Sequence, residues 1–181
     1  MTTSFIDNYR FSARYNRWMN QRLYAACEQL TNEQRKADRG AFFKSIHYTL
    51  THLVLADKMW LARFTSQGVE FVALMPALLT VPEGSDYTSD LHPEWTDLKQ
   101  TRDALDAAIE QWLADMPPEF LSSTMRYANT KGVRRAHPTW QALTHFFNHQ
   151  THHRGQVTTL LTQAGVEAGV VAGVTDMVAL V

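Results

Sequence analysis

Eight histidines stand out in this 181-residue chain, and His145, His149, His152 and His153 crowd one short stretch of it. Imidazole changes charge near neutral pH, and its neutral form is a common ligand for divalent metals. The apolar residues around these four recur at helical spacing, so the directions of the rings can be worked out at about 100° per residue. With His149 at zero, Ala142, Phe146, Val157 and Leu160 fall between about 20° and about 80°, and Leu143 and Leu161 at about 120°. His153 lies at about 40°, inside that face. His145 lies at about −40° and His152 at about −60°, at its edge or beyond. His149 and His153 therefore point inward together, one turn and about 6 Å apart, a spacing at which two imidazoles can share one ion.

Two readings stand at this point. A single histidine on an apolar face is commonly a hydrogen-bonded core residue, and HxxxH alone does not exclude a pair of them. If the pair is a metal site, another helix must supply a third ligand. His52 adjoins the apolar Leu53 and precedes Ala56 by one turn, whose small side chain leaves room. His47 neighbours Ile46 at a helix start, where an exposed or capping role is expected. Three neutral imidazoles would leave an ion its full charge and an open coordination position, the pattern of catalytic sites. No carboxylate has clear ligand spacing, which argues against a non-haem iron oxygenase.

Four amphipathic segments must position these rings. Ile6, Tyr9, Ala13, Asn16, Asn20, Leu23, Cys27 and Leu30 alternate three and four apart and draw one stripe on a first helix. Thr31 to Gln34 has the form of a capping box and starts a short turn or helix. Ile46, Leu50, Leu53, Asp57, Trp60 and Phe64 form a second stripe, with Ser45 as its cap and Gly68 just past its end. Pro76 to Pro93 reads as a long connection, of a length that a crossover between parallel neighbours requires. Pro93 opens a third helix with Trp95, Leu98, Leu105, Ile109, Trp112 and Met116 on its seam, ended by Pro117-Pro118. Arg102 shares that seam and is expected near its rim. A small hairpin is expected between Phe120 and Pro138, with Asn129 to Gly132 as its turn. The fourth helix runs from near Pro138 to Ala164, stopped by Gly165, and Thr175 to Val178 could form a last helical turn. The fold class is all-α, a four-helix bundle in a single domain spanning 1–181.

Composition bounds the function. A formal net charge of −1 lacks the basic excess of a nucleic-acid binder, and Lys131, Arg134 and Arg135 make only a small cluster. The one cysteine, Cys27, excludes an intrachain disulfide and fits a reduced compartment. Asp7, Arg10 and Arg14 interrupt any signal-peptide pattern, and the apolar tail from Val166 is too short to span a bilayer. A cytoplasmic protein with neither a membrane nor a nucleic-acid partner is expected.

The run Asn148-His149-Gln150-Thr151-His152-His153-Arg154-Gly155-Gln156 resembles the NHxxHHRGQ signature of DinB-like proteins. Ser45 to Leu50 with His52, Asp57 and Trp60 resembles that family's second-helix motif. Tyr15 to Asn20 with Leu23 resembles its first-helix motif, and Gly173 to Asp176 is also similar. The resemblance implies an up-down-down-up bundle, often a homodimer, with a metal held by histidines matching His52, His149 and His153. It implies no DNA-binding or polymerase activity. Relatives in the wider superfamily include transferases and isomerases dependent on low-molecular-weight thiols, and metal-dependent hydrolases.

Other residues keep more than one reading. Asp57 could orient a ligand, act as an acid or base, or pair with an arginine such as Arg154; the pairing is favoured because Asp57 points away from His52. Asn16 and Asn20 could line the pocket or tie the first helix to its neighbours. Gln156 returns at about −20°, beside His149, and His145 could take the free N–H of a ligand histidine. The expected function is an enzyme using one divalent ion, nickel or zinc, to activate a thiol or water nucleophile against a small-molecule substrate. The alternative is a non-catalytic metal- or ligand-binding stress-response protein, which a fourth protein ligand such as His145 or Asp57 would favour.

Overall fold

The computed structural model describes residues 4–86, 88–167 and 177–180. Four long helices dominate: α1 (Phe5–Cys27), α3 (Ile46–Thr65), α5 (Trp95–Asp115) and α7 (Thr139–Gln163). Between them lie the short α2 (Asn32–Lys36), α4 (Pro76–Leu79) and α6 (Pro118–Ser122), and the strands β1 (Thr124–Ala128) and β2 (Arg134–Pro138). A final 3₁₀ turn covers Met177–Leu180. The Thr175 to Val178 turn thus falls partly outside the described residues, and Gly173 to Asp176 wholly so.

The boundaries follow the local chemistry. Ser45 caps α3, its hydroxyl accepting from the Tyr48 N–H at 3.1 Å. Thr31 and Gln34 form a reciprocal capping box at α2. Gly165 takes φ of +87° just past α7, a conformation that a side chain would oppose. Helix α5 starts two residues after Pro93, and Pro117 and Pro118 end it. The hairpin pairs β1 with β2 antiparallel, with Met125 opposite His137 and Tyr127 opposite Arg135.

The long helices pack as a helical bundle: α1 against α5 and α7, and α3 against the same two. Pairings along their lengths give the pairwise directions. Arg10 reaches the Leu113 carbonyl while Lys99 meets Glu28, so α1 and α5 are antiparallel. Tyr9 bonds to Thr144 and Arg154 to Asn16, so α1 and α7 are parallel. The core runs between them through Leu50, Leu53, Phe64, Leu105, Trp112, Phe146 and Val157. No described helix is long and apolar enough to cross a membrane.

Candidate metal centre

Helices α3 and α7 bring His52, His149 and His153 together. Nε2 of His149 lies 3.3 Å from Nε2 of His52 and 3.1 Å from Nε2 of His153. One nitrogen from each ring falls within 4.8 Å of the others. The residues fit a metal. Ligands about 2.1 Å from a common ion at tetrahedral or octahedral angles stand roughly 3.0–3.4 Å apart. Hydrogen bonding fixes the tautomer of one ring: Nδ1–H of His153 donates to Oε1 of Gln156 at 2.7 Å, which turns the lone pair of its Nε2 toward His149. Burial, then the neighbouring histidines, push the pKa of His149 down to about 3, and burial lowers that of His153, so both rings are neutral at physiological pH. Converging neutral nitrogens have lone pairs to give and few protons to share.

The surroundings hold these rings in place. Phe43 stacks on His52 with ring centroids 4.0 Å apart and meets His153 edge-on at 5.5 Å. Phe43 also borders a cavity of about 360 Å³ lined by Lys44, Tyr48, Thr88, Ser89 and Asp90. A larger apolar cavity of about 800 Å³, between the end of α3 and α4, is lined by none of the histidines. His145 touches His149 ring to ring at 5.9 Å and Trp60 at 5.0 Å. Neither it nor Asp57 joins the cluster.

Beneath the histidines lies a buried polar network linking all four long helices. Asp57 accepts from Arg102 at 2.6 Å and from the Gln150 amide, while Arg102 also lies 2.9 Å from Asp106. Asn20 donates to both oxygens of Asp106 at 3.0 and 3.1 Å, and Asn16 donates to it at 3.2 Å. Arg154 donates to Asn16. Asn16 and Asn20 therefore bond to Asp106 and Arg154 rather than to the histidines. Asp57 is paired with an arginine, but with Arg102 and not Arg154. The Arg102 side chain is only 2% exposed, a correction to its expected place at the rim: two carboxylates inside the bundle give it partners there. His47 is likewise buried, not exposed or capping, and its Nε2–H donates to the His92 carbonyl at 2.9 Å. Cys27 is a buried core residue whose thiol is pushed up to about 12 by burial, which leaves it unreactive.

Gln150, Phe43 and Asp106 join the site and its support beyond the residues that the sequence points to. For Asp106 a signal existed, because it stands four residues from Arg102 on one helix. For Phe43, in a loop before α3, there was none.

A helical bundle with this histidine cluster is matched by the DinB family over residues 3–179, and the chain belongs to that family. It is 26% identical to Protein DinB of Bacillus subtilis (strain 168) over 152 residues, which cover 83% of each chain. No solved structure matches it significantly.

Proposed function

We propose that this chain is a cytoplasmic metal-dependent enzyme whose single divalent ion, nickel or zinc, is held by His52, His149 and His153. The observation that carries this reading is the convergence of three imidazole nitrogens at metal-ligand spacing. An ion bound there would act as a Lewis acid, lowering the pKa of a thiol or water beside it so that either becomes a nucleophile at neutral pH. The reaction class is thiol S-transfer or hydrolysis of a small molecule. Gln156 keeps His153 in the tautomer that presents Nε2, and Phe43 shields one face of His52 from water. With no carboxylate among the ligands, the site keeps the charge of its ion undiminished, which favours activation over structural bracing.

The reading extends to architecture. The pairwise directions of the helices support an up-down-down-up order within one domain. The exposed Phe5 and Trp140, in edge contact across α1 and α7, support a homodimer built on that end. Elemental analysis of tag-free protein tests the centre. One ion per chain is expected, and metal-free protein that refuses added nickel, zinc and cobalt would overturn the proposal. Cobalt-loaded protein should change its visible spectrum when a low-molecular-weight thiol is added.

A further inference from the structure

Among the described residues, Arg63 is a half-buried cation without a counter-ion. Burial lowers its pKa, and the phenol of Tyr127 opposes that shift. No described carboxylate or hydrogen-bond acceptor meets its guanidinium. Two aromatic faces hold it instead: Cζ lies 4.7 Å from the Trp60 ring centroid and 4.9 Å from that of Tyr127. Trp60 in turn packs on Tyr127 at 5.4 Å and on His145 at 5.0 Å, and His145 packs on His149. A continuous chain of rings thus leads from the histidine cluster to this guanidinium.

Helix geometry puts this strip on the side that His52 presents. Counting about 100° per residue, His52, Ala56, Trp60 and Arg63 lie within about 80° of one another on α3. His149 and His145 share a stripe on the antiparallel α7. His137 packs edge-on against Tyr127 with ring centroids 5.5 Å apart. The segment from Thr124 to Pro138 contains Arg126, Lys131, Arg134 and Arg135 and no Asp or Glu. Arg135 stands opposite Tyr127 in the ladder, on the same face of the hairpin.

We propose that Arg63, held between Trp60 and Tyr127 and flanked by His137 and His145, is the subsite for an anionic group of the substrate. The substrate is then a small molecule whose carboxylate, phosphate or sulfonate docks at Arg63 while its other end reaches the histidines. About 16 Å of helix separates Arg63 from His52, so the anion and the reacting atom sit at opposite ends of the molecule. A fork of N–H donors over two aromatic faces suits a planar or tetrahedral oxyanion, and the rings exclude the water that would weaken it. This role deepens the enzyme reading and rests on it, but the anion site itself does not require the ion.

The test uses metal-free protein with ¹⁵N-labelled arginine and histidine side chains, titrated with inorganic phosphate and separately with acetate. Saturable shifts are expected at Arg63, His137 and His145. Arg63→Gln should weaken binding at least tenfold, and Arg63→Lys about threefold, since charge survives while the fork is lost. Arg134→Gln, on the other face of the hairpin, should change affinity less than twofold. Shifts that never saturate, or that survive Arg63→Gln, would overturn the site. So would an oligonucleotide that binds the strip far more tightly than phosphate. With zinc-loaded protein, mercaptohexanoate should bind at least tenfold more tightly than mercaptohexanamide, and Arg63→Gln should abolish that preference. Phosphate binding without metal uptake would leave the anion site standing and sink the enzyme reading; metal uptake without phosphate binding would do the reverse.

Discussion

Replacing Arg102 by methionine should destabilise the protein far more than its place on an otherwise apolar seam suggests. The guanidinium is buried between two carboxylates, 2.6 Å from Asp57 and 2.9 Å from Asp106. Methionine fills similar volume, so the loss is electrostatic: two buried acids remain without their cation. Breaking a buried pair by removing one partner costs about 3–5 kcal/mol. For a chain of this size that corresponds to a fall in Tm of about 6–20 °C. The loss should depend on pH with a definite sign. Burial already raises Asp57 from 3.8 to about 6 with Arg102 present, and Arg102 holds it down against further rise. A folded-state pKa above the unfolded value contributes stability that is complete below about pH 4 and disappears as pH rises through about 6. Without Arg102 that loss extends to higher pH, so the variant should recover about 1 kcal/mol of its deficit between pH 7 and pH 5, as Asp57 takes up a proton. The histidines titrate in both proteins, and variant minus wild type removes them. Urea denaturation at pH 7 and pH 5 measures both quantities, and Arg102→Met with Asp57→Asn should be more stable at pH 7 than Arg102→Met alone. A deficit below about 1 kcal/mol, or one equal at both pH values, would refute the account of the network.

Other consequences can be checked directly. Alanine at His52, His149 or His153 should each abolish tight metal binding in calorimetric titrations, whereas His152→Ala should leave it nearly intact; the opposite pattern would put the ligands on the wrong face of α7. His145→Ala should weaken binding by no more than about tenfold to a hundredfold, the range of groups that only support a ligand. Gln156→Leu removes the acceptor for Nδ1–H of His153 and should cost about 10–100-fold in metal affinity, with ion count per chain unchanged at saturating metal. Measured against His149→Phe, which cancels the opposite contribution of Asp57, metal-free protein should lose stability as pH falls from 7 to 5, because the folded-state pKa of His149 is depressed to about 3 and the unfolded chain takes up the proton first; a difference flat over that range in urea titrations would contradict this. Light scattering at micromolar concentration should give twice the mass of one chain, and a monomer would remove the dimer from the proposal.

Sequence by itself determined the four long helices, the hairpin and the inward face of the last helix, but not the short α4 and α6. The spacing of Ala142, Phe146, Val157 and Leu160 sets a direction that geometry at about 100° per residue turns into a choice between His152 and His153. Ser45, the Thr31–Gln34 box, Pro117 and Gly165 punctuate the chain through local backbone chemistry, which acts within a few residues and is therefore written in order. Local pattern could not say which helix faces which. That Asp57 meets Arg102 and Gln150, rather than Arg154, depends on the packing of α3 against both α5 and α7. Arg102 and His47 looked peripheral because a charged or polar side chain on a seam is costly to bury alone, and Asp57 and His92, which complete their burial, each lie 45 residues away along the chain. Phe43 over His52, and the ring chain from His149 to Arg63, likewise exist only once distant segments meet. Periodicity reports the direction of a side chain on its own helix, and only tertiary packing supplies what stands opposite it.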